Sequence, residues 1–460
     1  MSDKNVNKVK KILAIAMVFL SVTLLTSCWD KQELDQMAFV LSMGIDRSPA
    51  GLLDLTARIA VPEAIVGAGQ IGGGAGPTAP GQITKVLTVT ARTLPEGVAL
   101  LEATVERRIS FMQCRIVVID EKLVEEGLHR TIDFFNRHRE FRRSLIFFMA
   151  KGSPAREIFQ HAVPVLEENI ARYVEDIVDI QRQFGFSPFV RLHDLNNTME
   201  MYHFDGLIPI MAINEEVAEE KEGEDVKPRP TEEYWQDDEP AHEELKTIPG
   251  KLHRSGGNPV SYVGAGVLVG GKLVGFMNAD EVRITELLRG RYKTGIWSIP
   301  LAQEEMNYAS VILDHQRPPL IAVDTSTEPI RITVTIRMKG KLMEVQGQDI
   351  GTPEAFRLVE KKIAEALNKK ALDVIARMQS IPADPFHFIR PLRWRTLTTK
   401  EYVAIPWHEW FQNAEVVVDF QPEVEFFGFQ VNPSRPNLKV EEKVLEEPTE
   451  EELPGEEEWE

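Results

Sequence analysis

The residues best suited to a defined chemistry stand at the start of the chain. Lys4, Lys8, Lys10 and Lys11 face a single acid, Asp3, and an uncharged, mostly apolar run follows from Ile12 to Leu25. A basic stretch leading into a short apolar one is the pattern of an export signal. At ~1.5 Å per residue the run spans roughly 21 Å of helix, short of the ~30 Å bilayer core, so it suits a cleaved signal better than a permanent span. The run ends in Leu25-Thr26-Ser27-Cys28. Small residues fit a peptidase cleft, and the Cys28 thiol can take a diacylglyceryl group. Two acyl chains anchor stably where one binds only marginally. The expectation is a lipoprotein signal peptide over 1–27, lipidation at Cys28, and a mature chain held outside the membrane. The competing reading is an uncleaved anchor or ordinary signal in which Cys28 is incidental.

Other constellations are weaker. Gly67-Ala68-Gly69-Gln70-Ile71-Gly72 matches the dinucleotide-binding spacing, which needs a strand before it and a helix opening at its third glycine. Gly73, Gly74, Gly76, Pro77 and Pro80 forbid that helix, so residues 66–82 are expected to be a Gly-rich loop. His408-Glu409 lacks the second histidine that a zinc-binding helix requires. With two cysteines, Cys28 and Cys114, neither a disulfide framework nor a multi-cysteine zinc site can form. No nucleophile elbow or phosphate-binding loop occurs. The sequence therefore implies no metal, no cofactor and no catalytic group. The densest basic patch, Arg137-His138-Arg139-Glu140-Phe141-Arg142-Arg143, suits anionic head groups, an acidic partner, or a charged helix end complementing its own dipole. Asp384 and Arg390, close to Phe386 and Phe388, could line a pocket, or Asp384 could stabilise a turn before Pro385.

The elements that must position these residues read as α+β and multidomain. Length alone suggests about three domains at ~150 residues each. The formal charge of -19 disfavours nucleic acid as a partner. It is also unevenly spread. Residues 215–247 carry a net of -10 and residues 441–460 another -10, which leaves the rest of the mature chain at -2. Such stretches lack the apolar residues to offset ordering entropy. An acidic disordered insert over 215–256 and an acidic tail over 431–460 are expected.

Between these stretches the patterns are regular. Residues 52–61 and 83–90 alternate as strands, residues 114–119 form a buried strand holding Cys114, 122–136 have helical spacing, and 143–150 are apolar again, a βαβ unit. Residues 262–277 break at Gly270-Gly271, a hairpin signal. Residues 330–338 alternate strictly and are expected to turn at Gly340-Lys341. Thr352-Pro353 opens a long helix whose apolar face is Phe356, Val359, Ile363, Leu367, Val374 and Met378. A last strand-rich stretch covers 415–429. The domain expectation is an N-terminal region over 28–200, of two subdomains, and a C-terminal α+β domain over 201–430 interrupted by the insert.

These residues resemble the Ger(x)C spore germination lipoproteins. The likeness covers roughly 20–213 and 258–429 and rests on Cys28-Trp29-Asp30-Lys31-Gln32-Glu33-Leu34, Gly44-Ile45-Asp46, Ile116 to Ile119, Asp133-Phe134-Phe135, and Ala383-Asp384-Pro385-Phe386 followed by Trp407 and Trp410-Phe411. The Gly-rich loop, the acidic insert and the acidic tail depart from it. The resemblance implies a three-domain α+β fold in which the strands flanking the insert, 207–213 and 260–268, belong to one domain. It further implies a non-catalytic C subunit of a nutrient germinant receptor, partnered by polytopic A and B subunits and lipid-anchored at the outer face of the spore inner membrane. A substrate-binding lipoprotein of a membrane transporter shares the anchor, but would show two lobes with mostly parallel sheets. The antiparallel hairpins expected at 262–277 and 330–346 disfavour it. Trp394, Trp407, Trp410 and Phe411 are candidate interface anchors, or Trp407 and Trp410 cover the core as one helical face.

The anchor makes a direct prediction. Mass spectrometry of the mature N-terminal peptide should find it starting at a diacylated Cys28, and Cys28→Ala should release the folded chain from the membrane. A peptide starting elsewhere sinks this reading.

Overall fold

The computed structural model describes residues 7–8, 10–17, 36–61, 84–162, 170–215, 217–218, 248–252, 254, 256–301, 308–346, 353–381 and 383–426. Cys28, the Gly-rich loop, the acidic tail and residues 219–247 of the insert lie outside them. Residues 10–17 are helical, and no described helix is long and apolar enough to cross a membrane.

Ten strands form the first sheet. β1 (Met37–Arg47), β5 (Ile116–Asp120), β6 (Ile146–Lys151) and β7 (Gly206–Ile213) run parallel at its centre. On one flank β2 (Leu53–Ala60) and β3 (Thr84–Ala91) continue β1 antiparallel; on the other, β9 (Ala265–Val269) and β10 (Lys272–Met277) continue β7. The short β4 (Arg108–Ser110) pairs β1, and β8 (Val260–Ser261) pairs β7.

The apolar runs at 116–119 and 146–150 are continuous because both sheet faces are covered. Val117, Ile119, Phe147 and Met149 join the core under α1 (Leu94–Thr104), α2 (Glu121–Glu126), α3 (His129–Arg137) and α6 (Leu192–Glu200). Ile116, Val118, Ile146 and Phe148 join the opposite core with α4 (Ala155–His161) and α5 (Ile170–Phe184). The expected βαβ unit is present, its helix broken into α2 and α3 at Gly127, whose φ of 116° only glycine adopts readily. Cys114 is buried just ahead of β5, and burial pushes its thiol up to about 12.

α7 (Ala279–Arg289) leaves the first sheet and is buried from Val282 to Arg289. An Asn278–Glu281 capping box starts it and Gly290, at φ 72°, ends it. Beyond it lies the second sheet. β11 (Thr294–Pro300) pairs β12 (Tyr308–His315), β12 pairs the second part of β14 (Arg331–Val345), β13 (Leu320–Asp324) pairs its first part, and β15 (Glu415–Phe426) runs parallel to β14. Ile332, Val334, Ile336 and Met338 are buried, as their alternation requires.

The turn expected at Gly340 is absent. β14 continues to Val345, and Gly340 sits between β12 and β15, where a Cβ would come within 2.9 Å of Val424 and 3.1 Å of Val311. Glycine serves close packing here, and β14 pairs with β12, β13 and β15 instead of folding back on itself.

α8 (Pro353–Gln379) buries the expected face from Val359 to Met378 against this sheet. Its Asn368 and Glu360 side chains accept the outward amides of Phe420 (3.0 Å) and Val424 (2.9 Å), closing an otherwise open strand edge.

The expected boundary at residue 200/201 falls just ahead of β7. Strands β7 to β10 are hydrogen-bonded into the first sheet, and the N-terminal region is one continuous sheet because β5 pairs directly with β1. The two strands expected to flank the insert are neighbours, with β7 pairing β8 and β9.

The described flanks of the insert are held in place. Val217 is buried, and the Asn214 side chain donates to the Leu252 carbonyl at 2.7 Å. Deleting 219–247 through a short Gly/Ser linker should therefore hold the melting temperature within a few degrees, since loop closure changes only about 1 kcal/mol. Deleting 215–256 instead removes a buried valine, about 1.5 kcal/mol or more, and should lower it measurably by calorimetry.

Candidate functional site

Between the two sheets lies a buried ionic centre. Asp205, in the loop between α6 and β7, is buried. Its Oδ2 accepts the backbone amide of Asp384 at 2.6 Å and pairs with His408 Nε2 at 3.0 Å. Its carbonyl oxygen accepts His387 Nε2 at 2.7 Å and Arg289 Nη2 at 3.4 Å. Asp205 thus ties the first sheet to α7, to the 383–389 turn, and to α11 (Trp407–Asn413).

Each side chain arrives for a local reason. Arg289 and Glu286 lie one turn apart on α7 and pair at 3.3 Å, and the Arg289 Nε also donates to the Pro385 carbonyl. A buried guanidinium needs such partners, since unmatched burial of charge is expensive. Burial lowers its pKa from the usual arginine value to about 10.

His387 sits at φ 61° with its ring stacked on Phe204, centroids 3.7 Å apart. Its Nδ1 lies 3.2 Å from Arg390 Nη2, so a proton on Nε2 and a free acceptor at Nδ1 satisfy both contacts. Burial, with Arg289 and Arg390 close by, holds its pKa well below the ordinary histidine value, and the ring is neutral. His408 behaves oppositely: its hydrogen bond to Asp205 raises its pKa.

Asp384 is fully buried. Its Oδ2 accepts Trp407 Nε1 at 2.9 Å and the Ile389 amide at 3.4 Å, while Oδ1 has no hydrogen-bond partner. Burial, reinforced by Asp205, pushes its pKa up to about 7. His387 N donates to the Asp384 carbonyl at 3.3 Å, so the residue does begin a turn, while its carboxyl reaches across to α11.

The aromatics separate cleanly. Trp407 and Phe411 are core, stacked at 6.2 Å, and Trp410 packs partly buried against that core. Trp394 alone projects, 88% exposed. Phe386 and Phe388 stack at 5.0 Å and line no open pocket. Asp205 and Arg289 gave no sequence signal, because neither lies in a recognisable spacing and, apart from the Arg289–Glu286 pair, their partners are distant in sequence. His387 sits within the Asp384-Pro385-Phe386 motif and was legible only as part of it.

The basic patch at 137–143 closes α3. Arg137 pairs with Asp133 at 2.8 Å, while His138 and Phe141 pack edge-on or tilted against Phe111 and Phe134. Arg137 and His138 also line a groove of about 1120 Å³ between α1, α2, α3 and β10. Arg47, Arg92, Arg130 and Lys272 share its wall with Glu126, and Leu53, Leu94, Val98, Leu123 and Phe134 add apolar surface. Among the described residues no group of acids, histidines and cysteines is placed to hold a metal.

The raised pKa of Asp384 fixes a sign. Neutral in both states below about pH 4, it ionises in the unfolded chain first, so folding loses stability as pH rises towards about 7, by roughly 4 kcal/mol over ~3 units. Asp384→Asn removes this term while keeping an acceptor for Trp407. Its melting temperature relative to the unsubstituted chain should climb between pH 4.5 and 7.5; a gap independent of pH contradicts the assignment.

The relatives point one way. Residues 30–213 match the model of the spore germination protein N-terminal domain, and residues 263–428 that of the spore germination B3/GerAC-like C-terminal domain. Spore germination protein KC of Bacillus subtilis (strain 168) is 31% identical over 203 residues, 44% of this chain and 49% of that protein, so the match spans about half its length. Putative spore germination protein YfkR of the same organism is 23% identical over 89% of this chain and 95% of its own. The crystal structure of the GerBC protein covers 83% of this chain and 96% of its own at 15% identity, with a TM-score of 0.47. Matched in both halves by the models of one family, the chain belongs to the Ger(x)C spore germination proteins.

Proposed function

We propose that this chain is the lipid-anchored, non-catalytic C subunit of a nutrient germinant receptor, acting through protein contacts at the outer face of the spore inner membrane. A role in spore germination follows from family membership itself. The observation that carries the finer reading is that the first family match begins at residue 30, two residues after Cys28 and its lipobox. A chain tethered there would present both folded units outside the bilayer.

The ionic centre supports binding over chemistry. Apart from Asp384 Oδ1, which is buried without a partner, its carboxylates and imidazoles are spent on one another, on Trp407 Nε1 and on backbone groups. A group engaged this way holds geometry; it does not face a substrate. The arrangement also disfavours a transporter's binding protein, whose two lobes close about an exposed hinge. Here the link between sheets is the buried helix α7, and Leu207, Ala265 and Val267 of the first sheet lie in the core of the second.

Detergent extracts of spore inner membrane should yield this chain together with two polytopic subunits, and deleting its gene should abolish germination in response to at least one nutrient. Recovery without polytopic partners, with nutrient germination intact, overturns the proposal.

A further inference from the structure

The segment between Asp384 and Glu401 contains Arg390, Arg393, Arg395 and Lys400 and no acidic residue, a basic island in an acidic chain. It holds α9 (Arg390–Arg393) and α10 (Thr399–Val403), with Trp394 and Leu397 between them. These two side chains are 88% and 93% exposed, the most exposed large apolar residues of the folded body.

Their exposure is built, since the backbone on both sides is pinned. The amides of Arg395 and Thr396 donate to the Leu392 carbonyl at 3.0 and 3.2 Å. The Arg395 guanidinium donates to the Val323 carbonyl on β13 at 2.7 Å. Thr398 caps α10, its Oγ1 accepting Glu401 N at 3.2 Å, and Glu401 Oε2 accepts Leu397 N at 2.9 Å. Trp394 and Leu397 are therefore held out into solvent from an anchored frame. Large apolar side chains displayed this way mark an interaction site.

We infer that Trp394 and Leu397, with Arg393 and Lys400 beside them, form a second membrane contact that inserts into an anionic bilayer surface. Charge complementarity argues for lipid. The charged side chains next to the two apolar tips, Arg393, Arg395 and Lys400, are cationic; Glu401 is engaged with the Leu397 amide, and Asp324 on β13 faces Arg395. Tryptophan favours the headgroup level, where its ring is buried and its indole N–H stays wet, and lysine and arginine are drawn to anionic lipid. The Trp394 backbone N–H donates to the Leu392 carbonyl, while among the described residues its side chain makes no ring contact and no hydrogen bond. Two tips projecting from a convex turn suit a deformable medium, whereas a protein partner would need a matching concavity. The inference rests on the membrane-anchored reading but invokes residues far from Cys28 in sequence.

The test uses the full lipidated chain with vesicles of neutral phosphatidylcholine, with and without phosphatidylglycerol, each containing bromine-labelled acyl chains that quench nearby tryptophan. Because the chain has seven tryptophans, the readout is the difference between the unsubstituted protein and Trp394→Phe. The unsubstituted protein should show a blue shift and quenching in anionic vesicles. Both should be lost in Trp394→Phe and weakened in Leu397→Asn and in Arg393→Gln with Lys400→Gln, with melting temperatures unchanged. Equal quenching of the unsubstituted protein and Trp394→Phe at saturating anionic lipid overturns the proposal, whether or not the chain co-floats with the vesicles. Co-flotation that survives in Trp394→Phe and is lost in Cys28→Ala belongs to the anchor and is scored separately. Equal quenching combined with loss of the polytopic subunits in Trp394→Ala would assign the patch to a protein partner, and the lipid proposal fails.

Discussion

The carboxylate of Asp205 is the constraint around which the two sheets are arranged. A buried carboxylate is tolerated only where donors surround it, and those donors come from distant parts of the chain: the Asp384 amide and the His408 ring. Its own carbonyl is fixed by Arg289 and His387. Satisfying these contacts requires unusual backbone. His203 and His387 take φ values of 56° and 61°, a region that residues with a Cβ adopt rarely and that persists where the surroundings over-determine it. Phe204, stacked on His387 with the Arg390 guanidinium 5.6 Å from its ring, locks the same turn.

That centre and the apolar junction reinforce each other. Parting the sheets would bring Leu207, Ala265 and Val267 into water and strand the Asp205 and Arg289 charges at once. α7 is buried from Val282 to Arg289. The junction is thus held both by apolar packing and by the Asp205 contacts.

Much of the fold was legible because local pattern and tertiary environment agree. The runs at 116–119 and 146–150, the Gly270-Gly271 hairpin, the alternation of 330–338 and the apolar face of α8 each follow from burial at the period of the element. Gly340 misled because glycine serves both turns and close approach, and only the packing of Val311 and Val424 tells the two apart. The limit of the first unit was illegible for a related reason. Strand pairing across the insert joins 206–213 to 260–269, and nothing local to either stretch records its partner. The ionic centre fails the same way: its members lie between residues 205 and 408, and a lone aspartate before a strand has no signature. Of Trp407 and Trp410, read either as core or as interface, Trp407 is core and Trp410 is half-buried against it, while Trp394 projects.

Net charge describes this protein poorly, and the reason is physical. The acidity is concentrated in two aliphatic-poor stretches, so the remaining chain is close to neutral and can carry local excesses of either sign. Screening over about 8 Å at physiological salt means that a partner arriving at one face senses that face and not the total. The groove beside α3 has its cations partly answered by Glu126 and Asp133, at 2.8 Å each from Arg47 and Arg137. The turn at 390–400 has no such answer from within its own segment. The two basic surfaces therefore differ in degree: the first has two of its arginines paired to acids beside them, and the second carries two exposed apolar side chains among its cations.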